Sequence, residues 1–144
     1  MAEDTIDHAL VIAQLEHVPS ATMELRIHGY HKNSSTFGEL AEYGSDAPEL
    51  FTMIKNNPDD GIKFHESFYI TPAHVKWAVQ EEMARTLEDF LTRRSRCLIL
   101  DTRTTVAIAD NVANEMAKSL GKNKSWVKSQ VEEFEKLARD YLPH

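Results

Sequence analysis

The back of this chain carries two long apolar stripes at helical spacing with a glycine between them, a pattern that admits little except packed helices. In the first, Val106, Ala109, Val112, Ala113, Met116, Ala117 and Leu120 share one face of a helix expected over about 104–120. Gly121 follows as its C-cap, because glycine accepts the left-handed conformation in which helices end. In the second, Trp126, Val127, Val131, Phe134, Leu137, Ala138 and Tyr141 repeat the stripe behind Asn123 or Ser125 as N-cap. No alternating apolar run marks a strand over roughly the last 80 residues. The fold class expected is therefore all-α, a small bundle of about five to six helices with an irregular N-terminal third.

Further forward the signals are shorter. Ile6, Ala9, Leu10 and Ala13 predict a first helix over about 3–15 that opens at the first residues without an N-cap, as if cut from a longer chain. Residues 17–44 read as irregular, with Leu25 and Ile27 alternating in a short extended piece that ends at Gly29. Ser45 is the expected N-cap of a helix that points Leu50, Phe51 and Ile54 inward and stops at Pro58. Thr71 followed by Pro72 is a strong start signal, and Val75, Ala78, Val79 and Met83 form the stripe behind it. A capping box at Thr86-Leu87-Glu88-Asp89 then predicts a break near Arg85, after which Leu87, Phe90, Leu91 and Leu98 continue a helical stripe. These signals place a connector over 1–44 and a helical domain over 45–144.

At 144 residues the chain has material for one sizeable core. Its net charge of −7 argues against a nucleic-acid partner, which normally meets a basic surface. Cys97 is the sole cysteine, so a disulfide framework is ruled out, and no apolar run approaches the ~20 residues of a membrane span. These features set the expectation of a cytoplasmic chain. The five glycines, at 29, 38, 44, 61 and 121, nowhere form GxGxxG or a P-loop. Cofactor-binding, metal and catalytic residues are accordingly expected to be none: His28 and His31 sit in a loop without companion ligands, no serine has a nucleophile-elbow setting, and Cys97 reads as a small core residue. Trp77 and Trp126 read as core residues, but Trp77 lies off the Val75–Val79 stripe and, with Phe68 and Tyr69, is also a candidate for a surface covered by another domain.

The residues singled out are cations on an acidic chain. Arg93, Arg94 and Arg96 fall within four positions, and Arg85, Asp89 and Arg93 are spaced four apart, as in a ladder of alternating charge. Arg94 lies between Leu91 and Leu98 on the apolar stripe, so its guanidinium needs an acceptor such as Asp101 or a helix-end carbonyl. Arg85, Asp89, Arg93, Arg94, Arg96 and Asp101 are thus structural or docking candidates, with an internal charge network favoured over an anion site or a docking face.

The string EEMARTLEDFLTRRSRCLILD, followed by VANEMAKSLG and VEEFEKLARDYL, resembles the C-terminal helical domain of FAD-dependent glycerol-3-phosphate dehydrogenases. Glu82 to Thr86, Glu88, Asp89, Leu91, Arg93, Arg94, Arg96 and Asp101 match that pattern, as do Leu120, Gly121, Trp126, Gln130, Val131 and Phe134. MAEDTIDHA is similar to the helix that closes the family's FAD-binding part, and RIHGYH with YGSDAPEL to the connector that follows. KFHESFYI departs from it by lacking the prolines usual after the histidine, which bears on loop shape.

The resemblance implies a parent that oxidises sn-glycerol 3-phosphate to dihydroxyacetone phosphate, with FAD passing electrons to a quinone or to oxygen. The flavin and substrate sites lie in an N-terminal part that this sequence does not include. This chain is then expected to be an inactive helical cap that packs on that part, with homo-oligomer contacts and a peripheral place at the inner membrane as properties of the parent. A free-standing helical adaptor is the alternative.

Overall fold

The computed structural model describes residues 1–142 as helices joined by turns and irregular segments, the longest over 13–33. The α-helices are α1 (Ala2–Ile12), α2 (Ala47–Asn56), α3 (Pro72–Gln80), α4 (Cys97–Leu100), α5 (Thr102–Leu120) and α6 (Lys124–Arg139). Stretches of 310 helix cover Ser34–Asp46 and Pro58–Gly61, and a π-helical turn covers Asp89–Arg94. Among the described residues the one pairing of extended backbone is an isolated bridge between His65 and Phe68, so the all-α expectation holds.

The main core forms where α5 packs on α6 and on α3. Ala109, Val112, Ala113 and Met116 are fully buried there against Val75, Leu87, Leu91 and Leu98, with Phe90 and Phe134 nearly so. Both helix ends behave as the sequence predicts. Gly121 takes φ +64° after α5, and the Asn123 side chain accepts the Trp126 N–H at 3.1 Å at the start of α6. Val106, Trp126 and Val131 pack on the flank of this core, while Tyr141 stays exposed.

A second, smaller core lies beside it. Leu40, Ala47 and Leu50 are fully closed off against Trp77, which is 6% exposed. Trp77 is therefore covered from within, by α2 and the 310 segment, and needs no other domain. Residues 34–44, expected to be irregular, wind together with Ser45 and Asp46 into that 310 helix, with two reversals at Gly38 and Gly44. Gly44 is required where it stands: its backbone (φ +52°, ψ −116°) is closed to other residues, and a Cβ there would fall 1.7 Å from the Gly29 carbonyl oxygen. Leu25 and Ile27 are exposed and form no strand.

Two further details differ from expectation. The residue preceding α2 is Asp46 in place of Ser45, and neither side chain caps the helix; the Ala47 N–H is bonded to the Gly44 carbonyl and Pro48 has no N–H to offer. Met83 does not join the α3 stripe. That helix ends at Gln80, and Met83 turns into left-handed backbone at φ 57° with its side chain 72% exposed.

Candidate functional site

The region of the singled-out arginines is a corner between α3, the π turn and α4. Asp89 organises it. Its Oδ2 accepts the N–H groups of Thr86 at 2.9 Å and Arg85 at 3.0 Å, while its own N–H is donated to the Thr86 hydroxyl at 3.1 Å. This is the reciprocal capping box the sequence predicts. Arg93 closes the other side, reaching Asp89 at 2.8 Å and Glu88 at 2.6 Å. Burial pushes the Asp89 carboxyl up, but the Arg85 and Thr86 hydrogen bonds and the Arg93 charge outweigh it and hold the group below the usual carboxylate range.

Arg94 is placed differently from its sequence reading. Ordinary helical spacing turns it inward between Leu91 and Leu98, yet its side chain is 35% exposed. The reason is the wider π turn, in which the Ser95 N–H bonds back to the Phe90 carbonyl at 2.9 Å, so the register slips before Leu98 is reached. Leu98 is buried because α4 restarts the helix after Arg96, which takes left-handed backbone at φ 56°. Arg94 Nε and Nη2 donate to the Glu82 carbonyl at 3.0 and 2.6 Å, so its acceptor is a carbonyl just beyond the end of α3 and not Asp101. Asp101 instead caps α5, accepting the Thr104 hydroxyl at 2.7 Å and the Thr104 N–H at 3.0 Å; these bonds lower its carboxyl. Arg85 donates to the Val79 carbonyl at 3.4 Å, and Arg96 is exposed on the turn.

The corner therefore ties backbone ends together: Arg85, Asp89, Arg94 and Asp101 serve helix termini and Arg93 serves the capping carboxylate. Arg94→Ala is expected to lower stability by about 1 kcal/mol, since a partly exposed charge-assisted bond is lost while water reaches the freed carbonyl. An unchanged thermal melt would show that the Glu82 contact contributes nothing.

Sequence reasoning missed three groups. Gln130 is 9% exposed, and its Oε1 accepts the Leu87 N–H at 2.9 Å from 43 positions away, fastening α6 to the start of the π segment. Gln130→Ala leaves that buried N–H unpaired and is expected to cost roughly 1–3 kcal/mol by urea denaturation. Lys76 lies 2.6 Å from Asp60 and 3.7 Å from Glu115, joining the 58–61 turn, α3 and α5. His74 is the third. It completes a capping box with Thr71, whose N–H and hydroxyl lie 3.3 and 2.8 Å from Nδ1. The capping box was hidden because histidine replaces the usual Glu or Gln at that position.

The corner offers no covalent chemistry. Cys97 is 1% exposed, and burial raises its thiol to about 11, so the reactive thiolate is not formed at neutral pH. Among the described residues no three His, Cys, Asp or Glu gather as metal ligands, and no helix is long and apolar enough to cross a membrane. The glycines do not fit a flavin dinucleotide: Gly29, Gly38, Gly44 and Gly121 take positive φ in turns and a helix cap, and Gly61 abuts Ile54. None stands between a strand and a helix N-terminus, where a pyrophosphate is held.

A family model described as the C-terminal domain of alpha-glycerophosphate oxidase matches residues 20–127. The chain belongs to this family. It is 29% identical to the mitochondrial glycerol-3-phosphate dehydrogenase of Bos taurus, in a match covering 99% of the chain and 22% of that protein. The enzyme of the same name from Schizosaccharomyces pombe is 33% identical over 65% of the chain and 14% of its own length. An aerobic glycerol-3-phosphate dehydrogenase of Staphylococcus aureus (strain MRSA252) is 24% identical over 69% of the chain and 17% of its length. The chain thus spans less than a quarter of each of these relatives. No solved structure matches it. The matched span of the oxidase C-terminal domain family contains both cores' helices up to the first turn of α6, and the whole arginine corner.

Proposed function

We propose that this chain is the non-catalytic helical cap of an FAD-dependent glycerol-3-phosphate dehydrogenase, with residues 1–44 as the connector and 45–144 as the cap. The full-length parent oxidises sn-glycerol 3-phosphate to dihydroxyacetone phosphate on a flavin held elsewhere, peripherally at a membrane, and passes electrons to a quinone or to oxygen. The arginine corner is internal scaffolding that keeps the cap rigid.

One observation carries the packing of the cap on another part. The front of the chain exposes large apolar side chains that no described residue buries: α1 buries none of its residues, and Val11 (77%), Ile12 (83%), Met23 (90%) and Ile27 (74%) stand in solvent. So many exposed apolar side chains in one segment are costly on a free surface and point to a contact face. The reading is tested by adding the purified chain to a truncated parent that lacks this domain and measuring glycerol 3-phosphate oxidation and flavin retention. Recovery of both is expected with the wild-type chain and loss of it with Val11→Glu/Ile12→Glu. A purified chain that is yellow, or that oxidises glycerol 3-phosphate unaided, overturns the reading.

A further inference from the structure

We propose that residues 23–27 are a swivel joint about which α1 turns relative to the cap, and that the cap begins at a clasp of His28 and Gly29 on Gly44, Ser45 and Asp46. The joint and the clasp belong to this chain alone. That docking on the flavin-carrying part sets the angle of the joint rests on the function proposed above.

The three segments differ in where their bonds go. Among the described residues, every hydrogen bond and ion pair of residues 1–22 stays within residues 1–22. His17 lies 3.3 Å from Asp7, and Val18 and residues 20–22 double back beside Ile6. The front of the chain is thus a unit by itself, and α1 buries no residue against the cap. Residues 23–27 follow with little to hold them. All five are exposed and lie in neither helix nor strand, and among the described residues no hydrogen bond joins 23–26 to another segment. The Ile27 carbonyl accepts the Tyr30 N–H at 3.1 Å, and the Arg26 guanidinium lies over the Tyr30 ring at 5.2 Å, both within the local turn. With no buried area and no tertiary bond to oppose it, the conformational entropy of this stretch prevails. A hinge needs only a few such residues, small or not.

The clasp is a close approach of two backbones. The Ser45 N–H donates to the Gly29 carbonyl at 3.2 Å, and the absent Cβ at Gly44 is what admits that carbonyl. His28 Nε2 lies 2.8 Å from Asp46, but its side chain is 85% exposed, so that pair adds little. His31 packs on Phe37 with ring centroids 4.7 Å apart, and Phe37 borders the second core. Gly29 itself stands at φ +84°, with open space where a side chain would point. Residues 28–31 and the 310 segment therefore move as one body. The connector read over 1–44 is divided, its rear being part of the cap and its front a separate unit. Met23 and Ile27 stand in solvent in the free chain, so a docked orientation that covers them stops the joint.

The test uses the whole 144-residue chain, isotopically labelled for nuclear magnetic resonance. Backbone order parameters of about 0.85 are expected for 28–31, as for α5, and below ~0.6 for 23–26. Residual dipolar couplings should require separate alignment tensors for α1 and α5. In Gly29→Val a β-branched residue is forced toward left-handed backbone, so 28–31 should loosen to the level of the joint and the Ser45 amide should exchange at least ~5-fold faster. The Trp77 indole signal should stay in place, because Leu40, Ala47 and Leu50 pack it without help from the clasp. Rigid order parameters through 23–26, or one tensor fitting both helices, overturns the joint. Wild-type residues 28–31 as loose as the joint, or an unaltered Ser45 amide in Gly29→Val, overturns the clasp. A failed activity recovery in trans beside these dynamics overturns the docking that sets the angle and leaves the joint standing.

Discussion

Replacing Lys76 with methionine is expected to cost about 3 kcal/mol of folding stability, because removing one partner of a buried ion pair strands the other charge. Asp60 and Glu115 are only 7% and 8% exposed, and the Lys76 ammonium stands between them at 2.6 and 3.7 Å. Methionine keeps the length of the stem and its packing, so the loss reports charge and not volume. Glu115 retains Lys118 at 2.8 Å, while Asp60 keeps only the Asn57 amide at 3.0 Å, so most of the cost falls on Asp60. Adding Asp60→Asn to Lys76→Met should therefore recover most of the loss, which urea denaturation of the single and double variants measures. A single variant within about 0.5 kcal/mol of wild type would mean that water solvates the pair as it does a surface one. The effect is expected at the low end of the buried range because the Lys76 side chain is 26% exposed.

The second large effect is acid sensitivity through His74. Burial lowers its imidazole to about 4 from an ordinary value near 6.5, so the folded chain keeps it neutral. Between those two values the unfolded chain binds the proton and the folded chain does not. Stability from this group is thus fully present above about pH 6.5 and is lost as pH falls to about 4, by on the order of 3 kcal/mol. His74→Gln isolates the effect, since glutamine is a natural partner for a Thr N-cap and cannot titrate. The wild-type urea midpoint should fall steeply from pH 6.5 to 4.5, while that of the glutamine variant stays nearly level; parallel curves would remove His74 as the cause. Asp89 and Asp101 do not confuse the result. Their lowered carboxyls contribute stability that disappears only at lower pH, as they protonate below the ordinary carboxylate range.

Much of the bundle was legible in the sequence where the local code and the packing agree. The α5 and α6 stripes, Gly121 and Asn123 needed only periodicity and capping chemistry, because long helices bury one face whatever they pack against. The break near Arg85 and the Thr86–Asp89 capping box were legible for the same reason: their hydrogen bonds run between residues three and four apart. Arg94 and Met83 were not, because each lies where the backbone leaves helical register, at the π turn and at a left-handed residue. Periodicity counts residues and cannot see a slipped turn. Trp77 was legible as a core residue, but its partners were not. Leu40, Ala47 and Leu50 come from a 310 segment and a short helix with weak local signals.

What the sequence by itself determined is the helical class, the long helices with their caps, and the kinship that its arginine-rich string resembles. Those features are written in residues a turn apart, where spacing and side-chain chemistry act without help from distant parts of the chain. Only the tertiary structure decided that Gln130 holds Leu87, that Lys76 stands between Asp60 and Glu115, and that Gly29 meets Ser45. Each of these joins groups from separate segments, and their energies depend on burial, which arises when those segments close over one another.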